Sequence, residues 1–258
     1  MFRPLLSLSA LLLPAAIAMS VTAFGPTFGA GTRPDPAGSN ADRQSRLAQL
    51  GQALFHDPSL SRNGTQSCAT CHDPDHAFTD PRPNAVGGAV SVGDDGVSLG
   101  DRNTPTLTYA FLSPDFHQDA KGRYKGGQFW DGRADDLADQ AGQPMLNPVE
   151  MGMPDRAAVV ARLRDNPGYA DSFAALFGAD ALDDVDRAFQ GAAMALAAYQ
   201  STDEFAPFDS KFDRWKRGEV QPDPSGRIRF HRLHHLELPA VPPVAKAGRG
   251  RTRNLYQL

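Results

Sequence analysis

The only two cysteines of this 258-residue chain lie three positions apart, and a histidine directly follows the second of them. The segment Ser67-Cys68-Ala69-Thr70-Cys71-His72 is the C-x-x-C-H pattern of covalent haem attachment. Two thiols one helical turn apart can each form a thioether to a haem vinyl group, and the adjacent imidazole then reaches one face of the iron. The pattern therefore predicts one covalent haem c held by Cys68 and Cys71, with His72 as the proximal iron ligand.

Two other uses of a cysteine pair are open at this point. A disulfide would suit an oxidising compartment, and a zinc site would need two further Cys or His ligands at suitable spacing. Haem is favoured over both because the motif coincides with an export signal at the start of the chain.

The export signal is a basic residue followed by an apolar run. Arg3 precedes the run from Leu5 to Ala18, which ends in small residues. This pattern predicts a cleaved signal peptide over residues 1–18 and a periplasmic location. A membrane anchor is the alternative, but the run is shorter than the roughly 20 residues that cross a bilayer, so we expect no integral span after cleavage.

Composition limits the remaining possibilities. The net charge is −4 and both signs are scattered along the chain, which argues against nucleic acid as a partner because such a surface needs clustered Lys and Arg. Residues 19–40 are rich in Gly, Pro, Thr and Ser and are expected to form a flexible, disordered leader.

Hydrophobic spacing predicts a mainly α fold with long irregular loops. Leu47, Leu50 and Leu54 have helical spacing within Ala41–Phe55, and Asp155–Arg164 and Val185–Tyr199 carry similar patterns. The stretch His72–Asn103 is full of Gly, Pro and Asp, so we expect a long loop around the haem.

The second axial position of the iron separates two classes of function. A permanently filled position favours electron transfer, whereas an open or displaceable one binds peroxide. The candidate distal ligands are His76, His117, Met145, Met151 and Met153.

Several segments in order resemble the bacterial di-haem cytochrome c peroxidase and MauG family, over about residues 41–215. This resemblance implies a cytochrome c-like haem domain over residues 41–217. The segments are Leu50-Gly51-Gln52-Ala53-Leu54-Phe55, the haem motif, Ala77-Phe78-Thr79-Asp80, Arg102-Asn103-Thr104-Pro105-Thr106 and Phe129-Trp130-Asp131-Gly132-Arg133.

The resemblance implies roles for five residues. Trp130, Gln140 and Glu150 match the family's inter-haem tryptophan and its active-site glutamine and glutamate, so they are the predicted catalytic residues. Pro144 matches a proline beside the haem in the MauG branch, and Asn103 matches a calcium ligand between the haem domains. Glu150 is the natural group to move a proton between the two oxygens of a peroxide, and Gln140 can hold peroxide or water by hydrogen bonding.

The implied activity is reduction of hydrogen peroxide with electrons from a small soluble cytochrome or cupredoxin. The alternatives are a MauG-like oxidase that acts on a partner protein and a non-enzymatic single-haem electron-transfer or sensor protein. Oligomeric state stays open, with a homodimer as one expectation.

The chain departs from the family in two places. The loop Pro81–Asp101 has no histidine to serve as distal ligand, and no second C-x-x-C-H follows Gly218. The second haem of the family is therefore expected to be absent, and the family's electron entry route with it, so an inactive haem domain is one expectation for the chain as given.

Residues 218–258 form an aberrant tail, rich in His, Arg and Pro, that we expect to be disordered. Leu238–Pro243 can be encoded by CTG CCA GCT GTG CCA CCA, and a shift of one nucleotide gives Cys-Gln-Leu-Cys-His. The hypothesis is a frameshift between Trp215 and His231, which resequencing would reject if no alternative frame held a second haem motif.

Overall fold

The computed structural model describes residues 40–221. The predicted signal peptide, residues 19–39 of the predicted leader and the tail beyond residue 221 lie outside the described residues. Within this range the chain is mainly helical, as predicted. The α-helices are α1 (Asn40–Phe55), α2 (Cys68–Cys71), α3 (Leu137–Leu146), α4 (Arg156–Asp165), α5 (Pro167–Phe177), α6 (Val185–Tyr199) and α7 (Lys211–Lys216), and the strands are β1 (His117–Gln118) and β2 (Tyr124–Lys125).

The three helices expected from hydrophobic spacing are α1, α4 and α6. Asp155 is the N-cap of α4, where its side chain accepts a hydrogen bond from the Ala158 N–H at 2.8 Å. Asp184 caps α6 in the same way, accepting from the Arg187 N–H at 3.0 Å. These caps satisfy backbone donors that a helix start leaves free, so the sequence specifies where each helix begins.

The main packing contact of the fold is the crossing of α1 and α6. Gly51 is the point of closest approach, because a Cβ at this position would lie 1.9 Å from the Ala195 carbonyl oxygen. Helices α3 and α4 pack onto α6, and α5 packs against α1, α4 and α6. Fully buried side chains at the centre of the resulting core include Leu54, Phe173 and Leu196.

An aromatic cluster, formed by Phe55, Phe78, Tyr199 and Phe205, lies where α1 and α6 end. Phe78 stacks on Phe205 with ring centroids 4.1 Å apart. Tyr199 meets Phe205 edge-on at 5.0 Å and Phe55 edge-on at 5.3 Å. All four residues are buried. Edge-to-face and offset contacts of this kind stabilise a core beyond the area they bury.

Irregular backbone surrounds the haem motif, as expected from the sequence. Apart from the 3-10 turn Pro74–His76 and the isolated bridges Asp73–Thr79 and Val92–Leu99, residues 72–103 have no regular structure. Farther along the chain, β1 and β2 pair as a small antiparallel hairpin.

Among the helices of residues 40–221, none combines the length and apolar character needed to cross a bilayer.

Candidate haem site

A cavity of about 690 Å³ lies beside α2, within the size range of small-molecule and cofactor sites. Its wall contains the haem-motif residues and the five residues whose roles the family resemblance implies. These are Cys68, Cys71, His72, Asn103, Trp130, Gln140, Pro144 and Glu150. Apolar side chains of Phe55, Leu107 and Leu196 complete the wall.

The two cysteines occupy the first and last positions of α2, and both are free thiols rather than a disulfide. The helix is held at its start by Thr70, whose hydroxyl accepts a hydrogen bond from the Ser67 N–H at 2.9 Å. Burial, with the neighbouring Cys71, raises the pKa of Cys68 to about 12. The two thiols thus lie one helical turn apart at the cavity, as attachment to one haem requires.

His72 is oriented by a backbone carbonyl. Its Nδ1–H donates to the Phe78 oxygen at 3.0 Å, the contact that orients a histidine for metal binding through its other ring nitrogen. Burial lowers the pKa of His72, although the Phe78 carbonyl opposes this shift, so the neutral ligand form is favoured. Ala77 and Phe78 both have positive φ, 53° and 56°, and this left-handed pair turns the backbone beside the imidazole. Strained backbone of this type is concentrated at functional sites.

Helix α3 and the turn after it supply another part of the cavity wall. Gln140 and Pro144 lie one turn apart on α3, and Glu150 follows on the turn. The Glu150 carboxylate accepts a hydrogen bond from Asn147 Nδ2 at 2.8 Å. Burial raises the pKa of Glu150, while the Asn147 hydrogen bond and the charge of Arg133 oppose the shift. A carboxyl group with a raised pKa is suited to exchanging protons near neutral pH.

Asp94 connects the Glu150 turn to the segment before the haem motif. Its buried carboxylate accepts from the Ser61 hydroxyl at 2.6 Å, the Thr65 hydroxyl at 2.6 Å and the Asn63 N–H at 2.7 Å. Its own N–H donates to the Glu150 carbonyl at 2.8 Å. One residue therefore braces two parts of the site.

Trp130 lies at the rim of the cavity and is 61% exposed. Its Nε1–H donates to the Asn103 carbonyl at 2.8 Å, and the Asn103 side chain donates to the Ala89 carbonyl at 3.1 Å. Residues 40–221 hold no group of three His, Cys, Asp or Glu side chains arranged to bind a metal ion. Calcium binding through Asn103 stays a prediction.

Of the candidate distal ligands, Met151 lines the cavity. Met145 and Met153 are in the hydrophobic core. His117 lies on β1 and is exposed, with Nδ1 donating to the Asp115 carbonyl at 2.7 Å. His76 is exposed and pairs with Asp73 at 3.0 Å.

Sequence reasoning missed two polar residues at the site. Arg82 donates to the Cys71 sulfur at 3.2 Å and forms an ion pair with Asp80 at 2.6 Å. Gln200 lines the cavity and is 4% exposed, and its side-chain oxygen has no hydrogen-bond partner among the described residues. No helical or motif pattern indicates the contact of Arg82 with Cys71 or the burial of Gln200, because both depend on tertiary packing.

The donor set fits a haem c. Two free thiols one turn apart, an imidazole oriented through Nδ1 and apolar side chains in the cavity wall are features that fit covalent haem attachment. A cavity that contains an unpartnered buried oxygen also fits a site that holds a further group or water.

Comparison with known proteins agrees with this geometry. Residues 45–221 match the family model described as di-haem cytochrome c peroxidase. The methylamine utilization protein MauG of Paracoccus denitrificans is 69% identical over 188 residues, which cover 71% of this chain and 49% of that protein. The cytochrome c peroxidase Ccp of Escherichia coli is 34% identical over 66% of this chain and 31% of that protein.

Among solved structures, the di-haem peroxidase BthA of Burkholderia thailandensis is similar, with a TM-score of 0.63 and 36% identity over 74% of this chain and 45% of that chain. The chain spans about half or less of the length of these relatives. The family match covers well over half of the sequence and contains the whole cavity wall. The chain therefore belongs to the di-haem cytochrome c peroxidase family, a family of haem c oxidoreductases.

Proposed function

We propose that the chain binds one haem c through Cys68, Cys71 and His72 and uses it to reduce hydrogen peroxide. The observation that carries this proposal is the presence of Glu150, with its raised pKa, in the wall of the cavity that also contains the haem motif. A carboxyl group in this position can move protons at a peroxide, which a simple electron carrier does not need. Electrons would come from a small soluble cytochrome or cupredoxin in the periplasm.

When bound, haem would supply an iron centre that binds peroxide and exchanges electrons. The Glu150 carboxylate would take a proton from one peroxide oxygen and return it to the other, which leaves as water. Asn147 fixes this carboxylate by its hydrogen bond, and Gln140 orients peroxide or water from α3. Leu107 and Leu196 contribute apolar surface to the cavity wall.

Trp130 would relay electrons at the rim of the site. The exposed indole donates a hydrogen bond to the Asn103 carbonyl, and this bond fixes the orientation of the ring. An oxidisable aromatic side chain between the haem and a second redox centre or partner suits this role.

A MauG-like oxidase is the second candidate. It is favoured by the 69% identity to the Paracoccus denitrificans MauG protein and by the position of Pro144 in the cavity wall. Such an enzyme would withdraw electrons from side chains of a partner protein. The two candidates share the peroxide-activating site and differ in the source of electrons.

The proposal is tested by expressing the full chain in a periplasm that contains haem-attachment machinery. Intact mass and a pyridine haemochrome spectrum should give one covalent haem, which the double variant Cys68→Ala/Cys71→Ala should lose. Peroxide consumption with a soluble donor should then fall about 100- to 10,000-fold in Glu150→Gln. Glu219→Gln, an exposed carboxylate paired with Arg217, is the matched control and should keep wild-type turnover. Absence of covalent haem, or equal turnover in both variants, would contradict the proposal.

A further inference from the structure

Tyr199 is a buried tyrosine near the haem cavity for which the peroxide chemistry described above has no use. It is the last residue of α6, and its hydroxyl donates to Oε1 of Glu204 at 2.9 Å. Glu204 is exposed. The pair therefore combines an oxidisable phenol with a proton acceptor that has access to water.

The aromatic cluster connects this pair to the haem site in two ways. Phe55 lines the cavity and meets the Tyr199 ring edge-on at 5.3 Å. On the side of the proximal ligand, Phe78 accepts the hydrogen bond from His72 and stacks on Phe205. Phe205 in turn contacts Tyr199 at 5.0 Å. Packed rings thus run from Phe55 in the cavity wall to the phenol, and the Phe78 backbone carbonyl joins His72 to the same cluster.

The phenol is protonated at neutral pH. Burial, with the hydrogen bond to Glu204, raises the pKa of Tyr199 to about 12. A protonated phenol must release its proton when it loses an electron, and the carboxylate at 2.9 Å can accept that proton directly.

We propose that Tyr199 and Glu204 form an exit for oxidising equivalents from the haem site when no electron donor is bound. This inference rests on the proposed function, because peroxide supplies the oxidant. One electron passes from the phenol to the peroxide-oxidised haem centre, the phenol O–H bond breaks, and the proton moves to the Glu204 carboxylate. The products are a neutral tyrosyl radical, a protonated Glu204 and a haem centre reduced by one electron.

A second tyrosine provides a matched control. Tyr169 on α5 also donates to a carboxylate, with its hydroxyl 2.7 Å from Oδ2 of Asp57. Neither tyrosine lines the cavity, but the Tyr199 ring meets Phe55, which does, whereas Tyr169 has no aromatic ring contact within residues 40–221. The two tyrosines share a buried ring and a carboxylate partner and differ in their connection to the haem site.

The experiment uses the full haem-loaded chain, mixed with one equivalent of hydrogen peroxide, frozen and examined by electron paramagnetic resonance. A tyrosyl signal is expected in the wild type and in Tyr169→Phe. The signal should be lost in Tyr199→Phe and weakened in Glu204→Gln, which keeps a hydrogen-bond acceptor but removes the carboxylate base. Under repeated peroxide addition without donor, Tyr199→Phe should lose its haem absorption faster than Tyr169→Phe.

The outcomes separate this inference from the proposed function. If Tyr199→Phe keeps a tyrosyl signal of wild-type intensity while its haem spectrum still responds to peroxide, the proposal for Tyr199 is wrong and the peroxidase proposal is unaffected. A wild-type haem spectrum that does not respond to peroxide overturns both. If Tyr199→Phe fails to fold, Glu204→Gln decides the matter, because an undiminished signal in that variant contradicts proton transfer to Glu204.

Discussion

Replacing Gly51 by alanine tests the crossing of α1 and α6 directly. A Cβ on residue 51 would lie 1.9 Å from the Ala195 carbonyl oxygen, 2.5 Å from the Ala195 carbonyl carbon and 2.9 Å from Tyr199 Cβ. Two of these three atoms are backbone, so the clash cannot be relieved by rotating a side chain. The two helices have to separate.

The expected magnitude follows from two opposing contributions. Overpacking of a core typically costs 1–3 kcal/mol of stability, and because this clash is with backbone we take the upper end of that range, about 3 kcal/mol. Alanine gains about 1 kcal/mol over glycine as a helix former, which offsets part of this cost. The net loss in the free energy of unfolding is about 2 kcal/mol, which corresponds to a fall in Tm of about 4–8 °C for a domain of this size.

The assay is thermal unfolding followed by circular dichroism, with Ala53→Gly as the companion variant. Ala53 is exposed on the same helix, so its replacement measures helix propensity alone and should cost about 1 kcal/mol. An increase in Tm for Gly51→Ala, equal and opposite to the decrease for Ala53→Gly, would mean that propensity dominates and that the close approach is wrong.

Two further predictions concern the carboxyl groups of Glu150 and Asp94. Burial raises the pKa of Glu150, so the folded chain is destabilised relative to the unfolded chain as pH rises through that pKa. Glu150→Gln should therefore raise Tm at neutral pH. It should also remove the pKa of Glu150 from the pH profile of peroxide consumption, and an unchanged profile would contradict its role as base. Burial alone would raise the pKa of Asp94, but hydrogen bonds from Ser61 and Thr65 lower it below its usual value. The stabilisation by Asp94 is therefore present above the unfolded pKa of 3.8 and is lost as pH falls through the folded pKa. Asp94→Asn should cost about 1–3 kcal/mol at pH 7 in chemical unfolding, and the difference from wild type should shrink in acid; a constant difference would contradict the assignment.

The sequence was most informative where the chemistry is local. The haem motif depends on a spacing of one helical turn, so Cys68 and Cys71 could be proposed from sequence as haem-attachment residues, and both line one cavity. The helices α1, α4 and α6 carry regular apolar spacing and were predicted for that reason.

Other elements could not be predicted by the same reasoning. Helix α3 contains Pro144, which weakens a helical interpretation, whereas α5 had an overlooked signal in Asn166-Pro167, an N-cap followed by proline at the first helical position. Asp94 bonds residues about thirty positions away, and such contacts leave no periodic trace in a sequence. The positions of Glu150 and Gln140 came from family resemblance, because neither the burial nor the pKa of a carboxyl group is visible in sequence.

The bracing by Asp94 has a consequence for which changes in chain length this site tolerates. The strand residues of the hairpin β1–β2 do not line the cavity and form no hydrogen bond to the haem motif. Lengthening the hairpin therefore leaves the distance between Glu150 and Cys68 unaltered. Residues 91–98 are different, since the Asp94 side chain is hydrogen-bonded to the Ser61–Thr65 segment and its backbone N–H is hydrogen-bonded to the Glu150 turn. A single deletion in this loop would prevent Asp94 from forming both sets of hydrogen bonds at once. Insertions and deletions among related chains should therefore accumulate in the hairpin and be rare between residues 91 and 98.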